Sequence, residues 1–202
     1  MGSEAMCTAR FGKKVSRGKA VLESESLIFH GDFRLAIPFR AMRSVAAGKD
    51  TLRVRFPEGM ASFELGPLAQ RWAEKMLHPK SLIDKLGVKP GSAVSVLGVR
   101  DAGFLRQVRE RTAEIADGKP RKDSDFIFFG AERTAELKRL KALAQCLKKS
   151  GAVWVVYPKG QAQITQAGVM AAAKKAGLVD VKVVGFSATH TALKLVIPLA
   201  RR

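Results

Sequence analysis

Two clusters of cations and one strand-to-helix turn are the parts of this chain whose residue types could do chemistry. Lys13, Lys14 and Arg17 lie close together near the start. Arg106, Arg109, Arg121 and Lys122 fall in and just after a segment of helical spacing. Ammonium and guanidinium groups bunched in this way attract polyanions. Few aromatic residues interleave with them, so stacking on bases is not indicated. The turn is Leu97-Gly-Val-Arg-Asp-Ala-Gly103. Glycines directly after a parallel strand let the backbone approach a bound cofactor. Gly98 and Gly103 are present, but the Gly-x-Gly core is missing. Arg100 and Asp101 stand where the approach has to be closest.

Tyr157-Pro158-Lys159 ends a central strand, at the end of an α/β sheet where ligands sit. No carboxylate or amide accompanies it to orient an amine. Lys159 could face an anion; the simpler reading makes Pro158 a strand stop and Lys159 a solvated cation. His30, His78 and His190 are scattered without metal-ligand spacing, and His190 reads as a hairpin-loop residue. There is no Gly-x-Ser-x-Gly elbow and no phosphate-binding P-loop. Cys7 and Cys146 form no C-x-x-C pair. Cys146 lies among Leu143, Ala144 and Leu147 and reads as buried; Cys7 reads as the more exposed of the two. No complete catalytic or metal motif emerges, and the chain leans away from an enzyme.

The chain has 202 residues, 47% hydrophobic and 27% charged, enough for one large or two small cores. Its charge is lopsided, at +18 with a pI near 10.4. Residues 1–80 carry 14 Lys and Arg against 8 Asp and Glu; residues 81–202 carry 22 against 10. An acidic partner, nucleic acid or protein, fits such a field, although spread charge also serves solubility. Two unpaired cysteines, no apolar run near the ~18 residues of a membrane span and no secretory h-region point to a reducing cytoplasm.

The elements that position these residues follow from periodicity. Residues 1–18 read as a basic loop. About six short antiparallel strands come next, among them Ala20–Leu22, Leu27–Phe29, Phe33–Ile37, Leu52–Phe56 and Ala61–Leu65. A polar turn at 23–26 and a hairpin at Glu58-Gly59 separate some of them. The period then changes. Leu68, Ala69, Trp72, Ala73, Met76 and Leu77 predict an amphipathic helix that closes the open end of a bent sheet. His78–Ser81 is the boundary. Ser81 caps a short helix, Ala93–Leu97 is a buried strand, and Asp101 caps a helix with Phe104, Leu105, Val108 and Ile115 on its apolar side. A basic loop spans 118–123. Asp125–Gly130 is a strand, Glu132–Lys149 a helix, and Gly151–Pro158 a second strand, the unit around which a parallel sheet forms. A helix over 165–176 ends at Gly177, and strands over 179–184 and 192–197 pair antiparallel. Only about 25 residues separate Leu97 from Phe126, too few for an intervening strand with an acidic residue at its end.

Three resemblances rest on these stretches. Gly18–Glu23, Leu27–Gly31, Phe33–Phe39 and the Trp72 helix resemble a pleckstrin-homology-like or GRAM-like domain over residues 10–77. The run Lys148–Val156, the stretch Ala176–Val179 and the terminal hairpin resemble the Rossmann-like sheet of S-adenosylmethionine-dependent methyltransferases. Lys85–Gly91, Trp154–Lys159 and Gly177–Lys182 running into Ala192–Lys194 are similar to bacterial domain-of-unknown-function family 3052, which implies a fold and no activity. The expected architecture is therefore α+β and α/β. A small PH-like β-barrel or roll capped by a helix (10–77) precedes a reduced Rossmann-like α/β sheet (81–202). The expected function is a non-catalytic module for an acidic partner, with Lys13, Lys14, Arg17, Arg106, Arg109, Arg121 and Lys122 as its contacts. The alternative is a divergent methyltransferase-like enzyme, with Gly98, Asp101, Gly103 and Tyr157 holding S-adenosylmethionine; otherwise no cofactor is expected.

Overall fold

The computed structural model describes residues 3–23 and 25–201, which divide into two compact units after Lys80. In the first, β1 (Ser3–Phe11), β2 (Lys14–Leu22), β3 (Ser26–His30), β4 (Arg34–Pro38), β5 (Ser44–Ala47), β6 (Thr51–Phe56) and β7 (Gly59–Glu64) form one antiparallel sheet. Its order is β4-β3-β2-β1-β7-β6-β5. Alternation places Ala20, Leu22, Phe29, Leu52, Val54 and Phe63 on the inner face. Helix α1 (Leu68–Leu77) buries Ala69, Trp72, Ala73 and Met76 against that face, as its spacing predicts. The hairpin at Glu58-Gly59 joins β6 to β7, with Phe56 paired to Gly59. Ser24, in the turn expected at 23–26, lies outside the described residues.

The first 18 residues are not a loop. β1 and β2 pair from Ser3↔Leu22 to Phe11↔Lys14 and close through Gly12, whose φ of 59° suits glycine. The inward positions of β1 are Ala5, Cys7, Ala9 and Phe11, mostly small, so their period-two signal is faint beside the charges around them. The same alternation reverses the expectation for the cysteines. Cys7 is buried on the inner face, and Cys146 is half-buried. Burial, with a smaller effect of the nearby Glu64 carboxylate, pushes the Cys7 thiol up to about 11. Its thiolate fraction at about pH 8 is then roughly a hundredfold below that of an ordinary cysteine. Iodoacetamide is expected to alkylate Cys146 first in the folded protein, and mass mapping of partly labelled peptides reads the order. Equal rates at both sites would contradict the packing of β1.

In the second unit, α2 (Leu82–Leu86) begins at Ser81, whose hydroxyl accepts from Asp84 N–H. Then come β8 (Val94–Leu97), α3 (Ala102–Arg111), β9 (Ile115–Asp117) and β10 (Ser124–Gly130). After them lie α4 (Leu140–Ala144), β11 (Leu147–Pro158), α5 (Gln166–Lys175), β12 (Val179–Gly185) and β13 (His190–Val196). The sheet order is β12-β13-β11-β10-β8-β9. β9, β8, β10 and β11 run parallel, and β13 is antiparallel to both its neighbours. One face packs Ile83, Phe104, Val108, Phe128 and Trp154; the other packs Ile127, Phe129, Leu140, Val155 and Val169.

Two expectations change here. The helix expected over 132–149 is a 3₁₀ segment (Thr134–Arg139) followed by five residues of α-helix. Leu147 keeps the helical spacing of Leu137, Leu140 and Leu143, but it opens β11 and pairs with Ser124. Sheet pairing outcompetes the local period, and Asp125 helps fix it. Its carboxylate accepts from Ala93 N–H at 2.8 Å and from Lys148 Nζ at 2.9 Å. Burial alone would raise that carboxyl, but these two donors hold it below the usual range. Second, a strand does fit between β8 and β10. α3 stops at Arg111, and Ile115 begins β9 instead of extending the helix.

Candidate functional site

β8, β10 and β11 run parallel and end side by side at Leu97, Gly130 and Pro158. A cavity of about 580 Å³ opens over those ends, floored by Gly98, Gly130 and Val156. The turn joining β12 to β13 forms its far wall through Phe186, Ser187, Thr189 and His190. That turn is tied from below. Lys159 Nζ donates to Ser187 O at 2.7 Å and to Ala188 O at 3.3 Å. Lys159 is exposed, but its ammonium is engaged by these two carbonyls and anchors the turn.

Gly98 and Asp101 line the cavity, whereas Gly103 and Tyr157 do not. Tyr157 is buried in the packing with Ile164 and Val169, and burial raises its phenol. Gly103 sits in the first turn of α3. Asp101 Oδ1 accepts from Phe104 N–H at 2.8 Å, so this carboxylate is engaged as the helix cap.

Gly98 has φ of 72°, and a Cβ there would lie 3.2 Å from Gly130 O. A Cβ on Gly130 would come within 2.5 Å of Gly98 O. The two glycines let the backbone of the turn close onto β10. Asp117 does end β9, the place for an acidic ribose hook, yet it is not part of the cavity wall. The turn lacks the Gly-x-Gly core of an adenosyl-cofactor cradle, and its one carboxylate, Asp101, is taken up by the α3 cap.

The sequence did not single out the other charged groups of the cavity, Arg100, Glu132, Glu136, Arg139 and His190, as members of one site. Glu132, Glu136 and Arg139 belong to one segment after β10, but Arg100 and His190 come from distant parts of the chain and no motif links the three stretches. His190 Nε2 lies 3.6 Å from Glu132 Oε1, and its Nδ1 lies 2.9 Å from Thr189 Oγ1. Glu136 Oε2 accepts from the N–H groups of Glu132 at 2.7 Å and Arg133 at 3.3 Å. The Arg139 guanidinium stands 5.2 Å over the Phe129 ring. Among the described residues, no group of three or more His, Cys, Asp or Glu is placed to hold a metal.

The cationic clusters distribute differently. Lys13 lies in the β1–β2 turn and Lys14 heads β2. Arg17 points outward from β2, opposite Thr8. Strand register adds cations that are distant in sequence. Arg53 on β6 is opposite Ser62, which is opposite Arg10 on β1. Arg10 lies diagonally from Arg17; Lys19 is opposite His30, and His30 is opposite Arg34. Neighbours in this row are about 7–10 Å apart by sheet geometry. Glu64 and Glu4 pair with Arg10 and Lys19 at 3.4 and 2.5 Å, leaving Arg17, Arg34, Arg53 and Arg55 without an ion pair among the described residues. In the second unit, Arg106 and Arg109 are exposed on α3, and Lys122 is exposed in the loop before β10. Arg121 is ion-paired with Glu114. No helix is long and apolar enough to cross a membrane among the described residues.

No family model matches the chain, and no curated protein matches it. Solved structures resemble it distantly. An S-adenosylmethionine-dependent O-methyltransferase from Thermotoga maritima is 9% identical over 87% of this chain and 94% of its own, with a TM-score of 0.47. A SAM-dependent methyltransferase from Aquifex aeolicus is 15% identical over 58% of this chain and 88% of its own, with a TM-score of 0.46. The N-terminal PH domain of human ARAP2 is 11% identical over 39% of this chain and 77% of that one, with a TM-score of 0.34.

Proposed function

We propose that this chain is a binding module for an acidic macromolecule, nucleic acid in the first instance, gripped by phosphate contacts on the outer face of its first sheet. The observation that carries this is the register. It brings Arg10, Arg17, Arg34, Arg53 and Arg55 from four strands, β1, β2, β4 and β6, onto the outer face of the sheet. Such a row matches a flexible phosphate chain and carries no base-reading geometry, so binding is sequence-tolerant and steeply salt-dependent. In this reading residues 10–77 are a PH-like (GRAM-like) β domain that presents the face. Residues 81–202 are a reduced Rossmann-like α/β domain of the family 3052 kind. Arg106, Arg109, Arg121 and Lys122 are the second contact region.

Fluorescence anisotropy of the full chain with labelled single- and double-stranded DNA across a salt series tests it. Arg17→Glu, Arg53→Glu and Arg55→Glu together are expected to weaken binding about a hundredfold or more at low salt. They should also lower the salt slope by about three. Unchanged affinity would sink the assignment. Binding to polyglutamate without binding to DNA would move the partner to an acidic protein. Reversal of Arg106, Arg109 and Arg121 tests the second region, and unchanged binding removes it.

A second reading, a divergent methyltransferase-like enzyme, is favoured by one observation. The chain runs strand, helix, strand through a parallel sheet into an antiparallel terminal hairpin, and β9 supplies an acidic residue, Asp117, at the second strand's end. Against it stand the missing Gly-x-Gly core after β8 and the engaged Asp101 cap.

A further inference from the structure

We infer that the cleft over β8, β10 and β11 is a binding site for a small organic anion, an aromatic or apolar body bearing a carboxylate or phosphate. This site is independent of the basic sheet face.

The inference follows from which charged groups in the cavity already have partners. All three carboxylates are engaged by the protein. Asp101 caps α3, Glu136 accepts two backbone N–H groups, and Glu132 faces His190. The two guanidiniums in the cavity have no carboxylate. Arg139 touches the Phe129 ring, and Arg100 makes no ion pair or side-chain hydrogen bond among the described residues. Arg139 is held against an aromatic ring, which fixes its planar fork at the wall. The rest of the lining includes Val99, Phe129, Val156 and Phe186. An apolar wall with a few convergent polar donors is how small-ligand sites are built. Here the donors left over are both cationic forks, which suit carboxylate or phosphate oxygens. At about 580 Å³ the space is that of a small molecule, not a polymer. A cationic ligand would have to share these carboxylates with the protein groups already placed against them, whereas the two guanidiniums have no carboxylate partner.

The test uses 8-anilinonaphthalene-1-sulfonate, an anionic aromatic fluorophore, with the full chain. The probe is expected to bind and to be displaced by phenyl phosphate or benzoate, but not by benzylamine. Displacement mainly by phenyl phosphate assigns a phosphate-bearing ligand; displacement mainly by benzoate assigns a carboxylate. Arg100→Gln with Arg139→Gln is expected to weaken the probe about tenfold or more, the loss of one or two charge-assisted bonds. Both side chains are exposed, so the melting temperature should not move. Arg53→Glu with Arg55→Glu should leave probe affinity as it was. The inference is overturned if the probe does not bind or the Arg100/Arg139 variant binds it normally. It is equally overturned if benzylamine displaces the probe as well as the anions do, if neither anion displaces it, or if the sheet-face variant loses it.

Discussion

Trp154→Ala is expected to cost the second unit about 3–5 kcal/mol, with a further ~1–3 kcal/mol for an orphaned acceptor. Trp154 stands in β11 at the centre of the sheet with 0% exposure. Its ring packs with Ile83, Leu86, Phe128, Val184 and Ala192 on one face. Its Nε1–H donates to Leu86 O at 3.1 Å, tying α2 to the sheet. Alanine empties that volume and leaves the Leu86 carbonyl unpaired in an apolar setting. No neighbour can collapse into the gap without pulling α2 or β13 out of register. A loss of that size is a large part of an ordinary stability of about 5–15 kcal/mol and corresponds to a melting temperature lower by roughly 15 °C. Calorimetry of wild type and variant reads it. Trp154→Phe keeps most of the volume and separates the hydrogen bond from the packing. An alanine variant that melts within about 2 °C of wild type would contradict the buried position of Trp154 and its bond to Leu86.

Where the sequence was legible follows from what each segment answers to. Helices α1 and α3 and strands β6, β7, β8 and β10 were readable because one local period, or one cap, decides them. Trp72 and Met76 repeat on one face, and Ser81 and Asp101 satisfy N–H groups a few residues ahead. β1 was not legible. Its inner side is mostly small and its partner strands supply the bulk, so burial is set by pairing, not by its own hydrophobicity. The 132–149 segment misled for the opposite reason. Its leucines keep a helical period, but Leu147 is buried through its pairing with Ser124. Gly151 then sits where a Cβ would be 2.7 Å from Ser124 O, a closeness only the neighbouring strand can impose. The candidate sites divide in the same way. Gly98 and Asp101 were visible as a turn and a cap. Arg100, Arg139, Glu132 and His190 meet only because three strands end together, and the sheet-face cations align only through register. Tyr157 was placed in the right strand, but its side chain is taken up in the packing with Ile164 and Val169, while its neighbour Val156 lines the cavity.

Gly130→Ala is expected to destabilise the second unit by about 3 kcal/mol or more, a larger effect than Gly98→Ala. The added Cβ would sit 2.5 Å from Gly98 O, 2.7 Å from Gly98 C and 3.2 Å from Val99 N. All three are backbone atoms, so no rotamer change relieves the clash, and overpacking against rigid neighbours costs about 1–3 kcal/mol even where side chains can yield. Gly98→Ala meets Gly130 O at 3.2 Å and must also hold φ near 72°, which costs an L-residue about 1–2 kcal/mol. The pair of variants separates two roles for the same glycines. If the turn were a cofactor cradle, S-adenosylmethionine would raise the wild-type melting temperature and Gly98→Ala would abolish that rise. If the turn is closed onto β10, both variants lose stability without any ligand, Gly130→Ala the more. S-adenosylmethionine then leaves the wild-type melting temperature unchanged. Thermal melts of the three proteins with and without S-adenosylmethionine decide between them. A stable Gly130→Ala protein, or a wild type raised by several degrees with the cofactor, would reopen the methyltransferase-like reading. The stability losses follow from the contact distances alone, because in each variant the added Cβ meets the backbone of the facing glycine, which no rotamer change can move.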